Sequence, residues 1–173
     1  MASLKPALVA NGADLDAFWK DGSDDTMRHA AYVSSAWGSP QSLGAPGTSC
    51  TTPSAWESSG RIGVVSQCGG SVYFDCYDGA WTGWLDLGGS AQLSPAVVVW
   101  DRGELNGLNV EVVAVRSSDS AIEETQYSSS TSESCPTSAS SFGSWNKRGG
   151  SAASGLKVVA TDTTESFDIY YKH

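Results

Sequence analysis

"DGAWTGWLDLGG", residues Asp78 to Gly89, places two tryptophans three apart between glycine-rich turns. Three apart suits a helix face, but the neighbours do not. Gly79, Gly83, Gly88 and Gly89 would each cost a helix about 1 kcal/mol relative to alanine, and the DG and GG pairs are turn signals. The stretch therefore reads as a short aromatic strand between turns. It recurs: "AWGSPQSLGA" (Ala36–Ala45) matches Trp37, Leu43 and Gly44 to Trp81, Leu87 and Gly88, while "FGSWNKRGG" (Phe142–Gly150) matches Trp145 and Gly149 to Trp84 and Gly88.

The beginnings of these units agree with their ends. "KPALVANGADLDAFW" from Lys5, "TPSAWESSGRIGVVS" from Thr52 and "SPAVVVWDRGELNGLNVEVVAV" from Ser94 each open on a proline, run through an apolar strand, turn and resume. A third segment follows in each: "TMRHAAYV", "SVYFDCYDG" and "AIEETQYS". One unit is thus four short strands over about 40 to 45 residues, the length of a propeller blade. The units fall at about 5–51, 52–94, 95–150 and a partial 151–173 within a single domain. In the last, "LKVVAT" and "SFDIYY" are expected to be the second and third strands. "SSSTSESCPTSASS" (Ser128–Ser141) reads as a long loop or disordered insertion with almost nothing to bury. The expected fold is all-β, a propeller-like array of antiparallel four-stranded blades, about three and a half per chain.

Charge and composition narrow the function. A formal net charge of −9, with acids spread along the chain and no basic face, speaks against nucleic acid and against an anionic membrane as partners. No apolar run approaches the roughly 18 residues of a membrane span, and "MASLKPALVANG" lacks a signal-peptide core, so a cytoplasmic protein is expected, with leaderless release as the other route. No cofactor motif occurs, and with no CxxC and only His29 and His173 as histidines no metal site is expected. The cysteines Cys50, Cys68, Cys76 and Cys135 are expected as buried free thiols, one disulfide through Cys50 or Cys135 being the alternative. Cys68 and Cys76 lie on one hairpin but face Ser71 and Gly63 when counted outward from Gly69-Gly70, so they do not pair with each other.

The strand order and the "AWTGWLDLGG" ending, clearest over Thr52 to Ser94, resemble the blades of fucose-binding β-propeller lectins, six-bladed in fungi and seven-bladed in bacteria. The resemblance implies a toroid with sugar pockets between blades, each holding its sugar by an arginine on the second strand, a glutamate on the third and an aromatic ring. Aligned residue by residue, the arginine position holds Asp16, Gly63, Glu111 and Lys157, and the glutamate position His29, Phe74, Glu124 and Ile169. Only Lys157 keeps the cation and only Glu124 the acid, so no unit carries both.

Two functions follow. The first is a lectin-like carbohydrate-binding protein with altered pockets, using Trp37, Trp81, Trp84 and Tyr127 as stacking faces and Arg28 or Glu124 as polar anchors. The alternative is a cofactor-independent enzyme, such as a cyclisation or cycloaddition catalyst, with one pocket for an apolar small molecule; its candidate catalytic groups are His29, Arg28, Lys157 and Tyr170. Packing between blades competes as the role of Trp81 and Trp84. A ring left open at three and a half blades exposes strand edges, and closure by a second copy predicts a homodimer joined through "LKVVATDTTESFDIYYKH".

Overall fold

The computed structural model describes residues 5–22, 24–101, 108–129, 134–160 and 167–171. His173, the turn after Asp101 and part of the serine-rich tract lie outside them. The chain is all-β, and its sheets follow the repeat. The first is β1 (Ala7–Asn11), β2 (Asp14–Lys20) and β3 (Met27–Val33), with β4 (Ala36–Trp37) and β5 (Gln41–Gly44) both paired to β3. The second is β6 (Ser54–Ser58), β7 (Arg61–Cys68), β8 (Ser71–Tyr77) and β9 (Leu85–Asp86). The third is β10 (Ala96–Asp101), β11 (Leu108–Val115), β12 (Ala121–Ser128) and β13 (Asn146–Ser151). β14 (Lys157–Ala160) and β15 (Phe167–Tyr170) make a two-stranded fourth sheet. Every pairing is antiparallel, as tight hairpins require.

The sheets stack face to face through their first strands, β6 on β1, β10 on β6 and β14 on β10. β14 therefore holds the first-strand place and β15 the second, which corrects the expectation of second and third strands. The registers give the equivalences: the pair Leu8–Ala17 corresponds to Ala55–Val64, Val97–Val112 and Val158–Ile169. The second-strand position that carries Asp16 and Glu111 is consequently Asp168, not Lys157.

Burial follows from stacking. β7 and β11, with sheets on both sides, are buried on both faces along almost their whole length, whereas β1 and β15 alternate because one of their faces is open. Phe18, Ile62 and Val64 fill the first junction, Trp56, Val65, Phe74, Val110, Val112 and Phe142 the second, and Val113, Val115, Ile122 and Leu156 the third.

The repeated tryptophan is a fastener between sheets. Trp84 Nε1 donates to the Leu43 carbonyl and Trp145 Nε1 to the Leu87 carbonyl, each at 2.8 Å, and each reaches the equivalent carbonyl of the preceding sheet. Gly89, at a φ of 77° that favours glycine, lies against the Trp145 indole, where an added Cβ would come within 3.0 Å. Pro40 holds the same place in the first sheet, which has no sheet before it.

The cysteines overturn the free-thiol expectation. Cys50 is bonded to Cys68 and Cys76 to Cys135, leaving no free cysteine. The registers Cys68–Ser71 and Gly63–Cys76 are those counted from the hairpin, so the exclusion of a Cys68–Cys76 bond holds. Cys135 also changes the reading of the serine-rich tract. Cys135 and Pro136 are buried, and Ser138 caps a short 3₁₀ turn over Ala139–Ser141, so the described part of the tract is pinned to the second junction instead of standing clear of the core.

Candidate functional site

Each full sheet carries a pair of rings on one face, the face that in the second and third sheets meets the sheet before. Tyr32 lies against Trp37 (centroids 5.3 Å apart), Tyr77 against Trp81 (5.4 Å) and Tyr127 against Phe142 (5.8 Å). Backbone pairing sets this repeat, because Tyr32 opposes Trp37, Tyr77 bridges to Trp81 and Tyr127 bridges to Phe142. What faces each pair differs, and that difference makes the sites unlike.

Between the first and second sheets the facing residues are polar. Asp16 on β2 and His29 on β3 occupy the two positions that the lectin resemblance assigned to ligand binding. Asp16 Oδ1 and His29 Nε2 are 2.6 Å apart, with the imidazole N–H donating to the carboxylate. The His29 ring stacks on Phe18 at 4.9 Å and meets the edge of Trp81 at 5.5 Å. Asn11, Asp14, Asp16, His29 and Gln41 on one side and Ile62, Tyr77 and Trp81 on the other enclose a cleft of about 240 Å³.

Asp75 braces the wall of this cleft. Its Oδ1 accepts from Cys76 N (2.8 Å), Gly83 N (2.9 Å) and Thr82 Oγ1 (3.2 Å), which fixes the turn after Trp81. Gly83 has a φ of 87°, natural only to glycine. Burial pushes the Asp75 carboxyl up from its ordinary value, against the pull of those three donors.

The second junction has the same plan and no cleft. Gly63 stands where Asp16 does, and an added Cβ there would collide with the Trp56 indole. Phe74 replaces His29 and fills the space against Phe142, their rings 5.2 Å apart. Tyr127, a proposed stacking face, is held there, its hydroxyl donating to the Ser134 carbonyl at 3.1 Å.

At the third junction the two positions hold Glu111 and Glu124, both buried, with Arg148 paired to Glu124. Burial, first, and then the hydrogen bond and the charge of Glu124 push the Glu111 carboxyl up to about 8, with Arg148 opposing. Glu111 thus keeps its proton at neutral pH. A carboxyl that binds its proton more tightly when folded stabilises the fold fully below its unfolded value, here the ordinary 4.5, and loses that contribution as pH rises toward 8. Chemical denaturation across this range should show stability falling with pH and levelling beyond about 8. Glu111→Gln, which keeps a donor toward Glu124, should flatten that part of the profile.

Of the residues singled out by sequence, the structure brings His29 and Trp81 together. Trp84 is a fastener between sheets. Arg28 lies on the other face of the first sheet, 3.4 Å from Asp21 and 4.0 Å from Asp24, as the acidic turn before it suggests. Trp37 is half exposed on that same open face. Glu124 is covered by Arg148, and Lys157 and Tyr170 are exposed on the outer face of the fourth sheet, at the far end of the stack from His29. Sequence reasoning placed Asp16 at the ligand position but did not single it out; its pairing with His29 was visible as two polar residues at the two repeat positions of one unit. Among the described residues no cluster of three or more His, Cys, Asp or Glu side chains is placed to hold a metal ion, and no helix is long and apolar enough to cross a membrane. No protein-family model, curated protein or solved structure matches this chain.

Proposed function

We propose that the chain is a lectin-like carbohydrate-binding protein whose working pocket is the cleft between its first and second sheets. The observation that carries this reading is the meeting of a polar floor, Asp16–His29, with an aromatic wall, Tyr77–Trp81, around about 240 Å³. A sugar ring has an apolar C–H face and a rim of hydroxyls, which that wall and the carboxylates of Asp14 and Asp16 suit. The volume lies below the roughly 300–1,000 Å³ of drug-sized pockets, so a single ring is the natural occupant.

The enzyme alternative has less support. His29 Nε2 is engaged by Asp16 and Nδ1 is buried without a partner, so the imidazole offers a substrate neither nitrogen. Lys157 and Tyr170 are too far along the stack to assist it. As to location, two disulfides persist best in an oxidising compartment and favour work outside the reducing cytosol over the cytoplasmic expectation.

A glycan array, followed by calorimetry with the best monosaccharide, tests the reading. Saturable binding that free sugar competes away is expected, and Asp16→Ala and Trp81→Ala should each weaken it about tenfold or more, the cost of a lost charge-assisted hydrogen bond or stacked ring. A silent array from folded protein, or binding indifferent to both substitutions, would overturn it.

A further inference from the structure

The two ends of the stack are complementary, and each lacks a partner within the described chain. At each internal junction the same positions meet. Ala7, Val9 and Phe18 of the first sheet cover Ala55 and Val64 of the second; Trp56 and Val65 cover Val97 and Val112; Ala96 and Val113 cover Val158 and Ile169. The register assigns Val159 to the place of Val9 and Trp56, and Tyr170 to that of Phe18, Val65 and Val113. Val159 is 53% and Tyr170 58% exposed.

The opposite end mirrors this. Leu8 and Ala17 stand where Ala55–Val64 and Val97–Val112 are covered, yet Leu8 is 59% exposed. With Pro6, Trp19, Ala30, Trp37 and Pro40 they line an open apolar hollow of about 620 Å³. A contiguous patch of this kind marks an interaction surface.

We propose that the fourth sheet of one copy docks on the open face of the first sheet of a second copy, continuing the stack head to tail. The occupant is assigned by continuity: the docking face repeats the positions that cover this face at every internal junction. One further position agrees. Ser54 Oγ donates to the Pro95 carbonyl across the second junction at 2.7 Å, Lys157 takes the Ser54 place, and the Pro6 carbonyl of the second copy takes that of Pro95. Two such joins close a two-fold ring and remove both open faces.

Docking also completes a site. Leu15, Tyr32 and Trp37 stand where Ile62, Tyr77 and Trp81 wall the cleft, with nearly the same ring geometry, 5.3 Å and 55° against 5.4 Å and 56°. They lack only a polar floor, and Asp168 of the copy whose fourth sheet docks, in the register of Asp16, supplies a carboxylate there. That this cleft takes sugar rests on the function proposed above; the docking does not.

Mass in solution tests the docking without any ligand. Light scattering should give twice the 18.0 kDa of one chain. Leu8→Asp and Val159→Asp, both at exposed positions, should each return the chain to a monomer with unchanged circular dichroism. Tyr32→Cys mixed with Asp168→Cys should yield a covalent dimer on a non-reducing gel. A wild-type monomer at about 1 mM, where an association of only about 4 kcal/mol would be seen, overturns the proposal. So does a dimer broken by Leu8→Asp but untouched by Val159→Asp, which would mean that the two heads pair with each other, and so does failure of the mixed cysteine variants to cross-link.

Discussion

Replacing Cys76 and Cys135 together by alanine should lower stability by about 4 kcal/mol, and replacing Cys50 and Cys68 by about 3 kcal/mol. The ordering comes from loop length: the first bond spans 59 residues and the second 18, and a longer closed loop restricts the unfolded chain more. The longer bond also ties the serine-rich tract to β8, beside Phe142 and Tyr127, so its loss should free that tract as well. Guanidinium denaturation of the two double variants reads the difference, and proteolysis near Ser134 should accelerate only in the Cys76/Cys135 variant. Equal destabilisation by the two pairs would show that chain entropy is not the main contribution of either. Against a total of about 5–15 kcal/mol for a typical domain, losses of this size decide whether the fold survives reduction.

Phe74→Ala should cost about 3–5 kcal/mol. Phe74 is fully buried and packs between the second and third sheets against Phe142, in the same cluster as Trp56, Val65 and Val112. Removing the ring leaves a cavity that flanking β-strands, held by hydrogen bonds on both sides, cannot collapse to fill. Thermal denaturation measures the loss. The variant also separates packing from binding, because the sugar affinity proposed for the first junction should be unchanged at a temperature where the protein remains folded. A loss below about 1 kcal/mol would mean that the second junction is not the close-packed centre described.

Most of the architecture was legible in the chain. Repeated prolines, GG and DG turns and the "AWTGWLDLGG" ending carry local information, since turn conformations and strand lengths depend on residues a few positions apart. The division into three full units follows from them, although the first unit's sheet has five strands, β4 and β5 both pairing with β3. The fourth unit was read one strand out of place because "LKVVAT" and "SFDIYY" are short apolar strands that fit either assignment, and only contact with β10 distinguishes them. That all four cysteines pair was missed for a related reason, although the alternative expectation of a bond through Cys50 or Cys135 named one member of each pair. Cys50–Cys68 and Cys76–Cys135 join different parts of the stack, and no spacing along the chain predicts which strand ends meet across a junction.

For the candidate site the division is similar. The chain by itself determined which positions of each unit face a neighbouring sheet, because the strand period of two and the hairpin registers decide that locally. It was the resemblance to lectin blades that singled out the positions of Asp16, His29, Glu111 and Glu124 among these, as the two it implies for ligand binding. Only the tertiary structure decided which of these positions became a cleft, for each site is shared by two sheets about 45 residues apart. Phe74 and Trp56 close the second junction, Arg148 covers the third, and Asp16–His29 opposite Tyr77–Trp81 leaves the first open. The same stacking converted Trp84 from a candidate stacking face into a fastener, because the carbonyl it meets belongs to another unit.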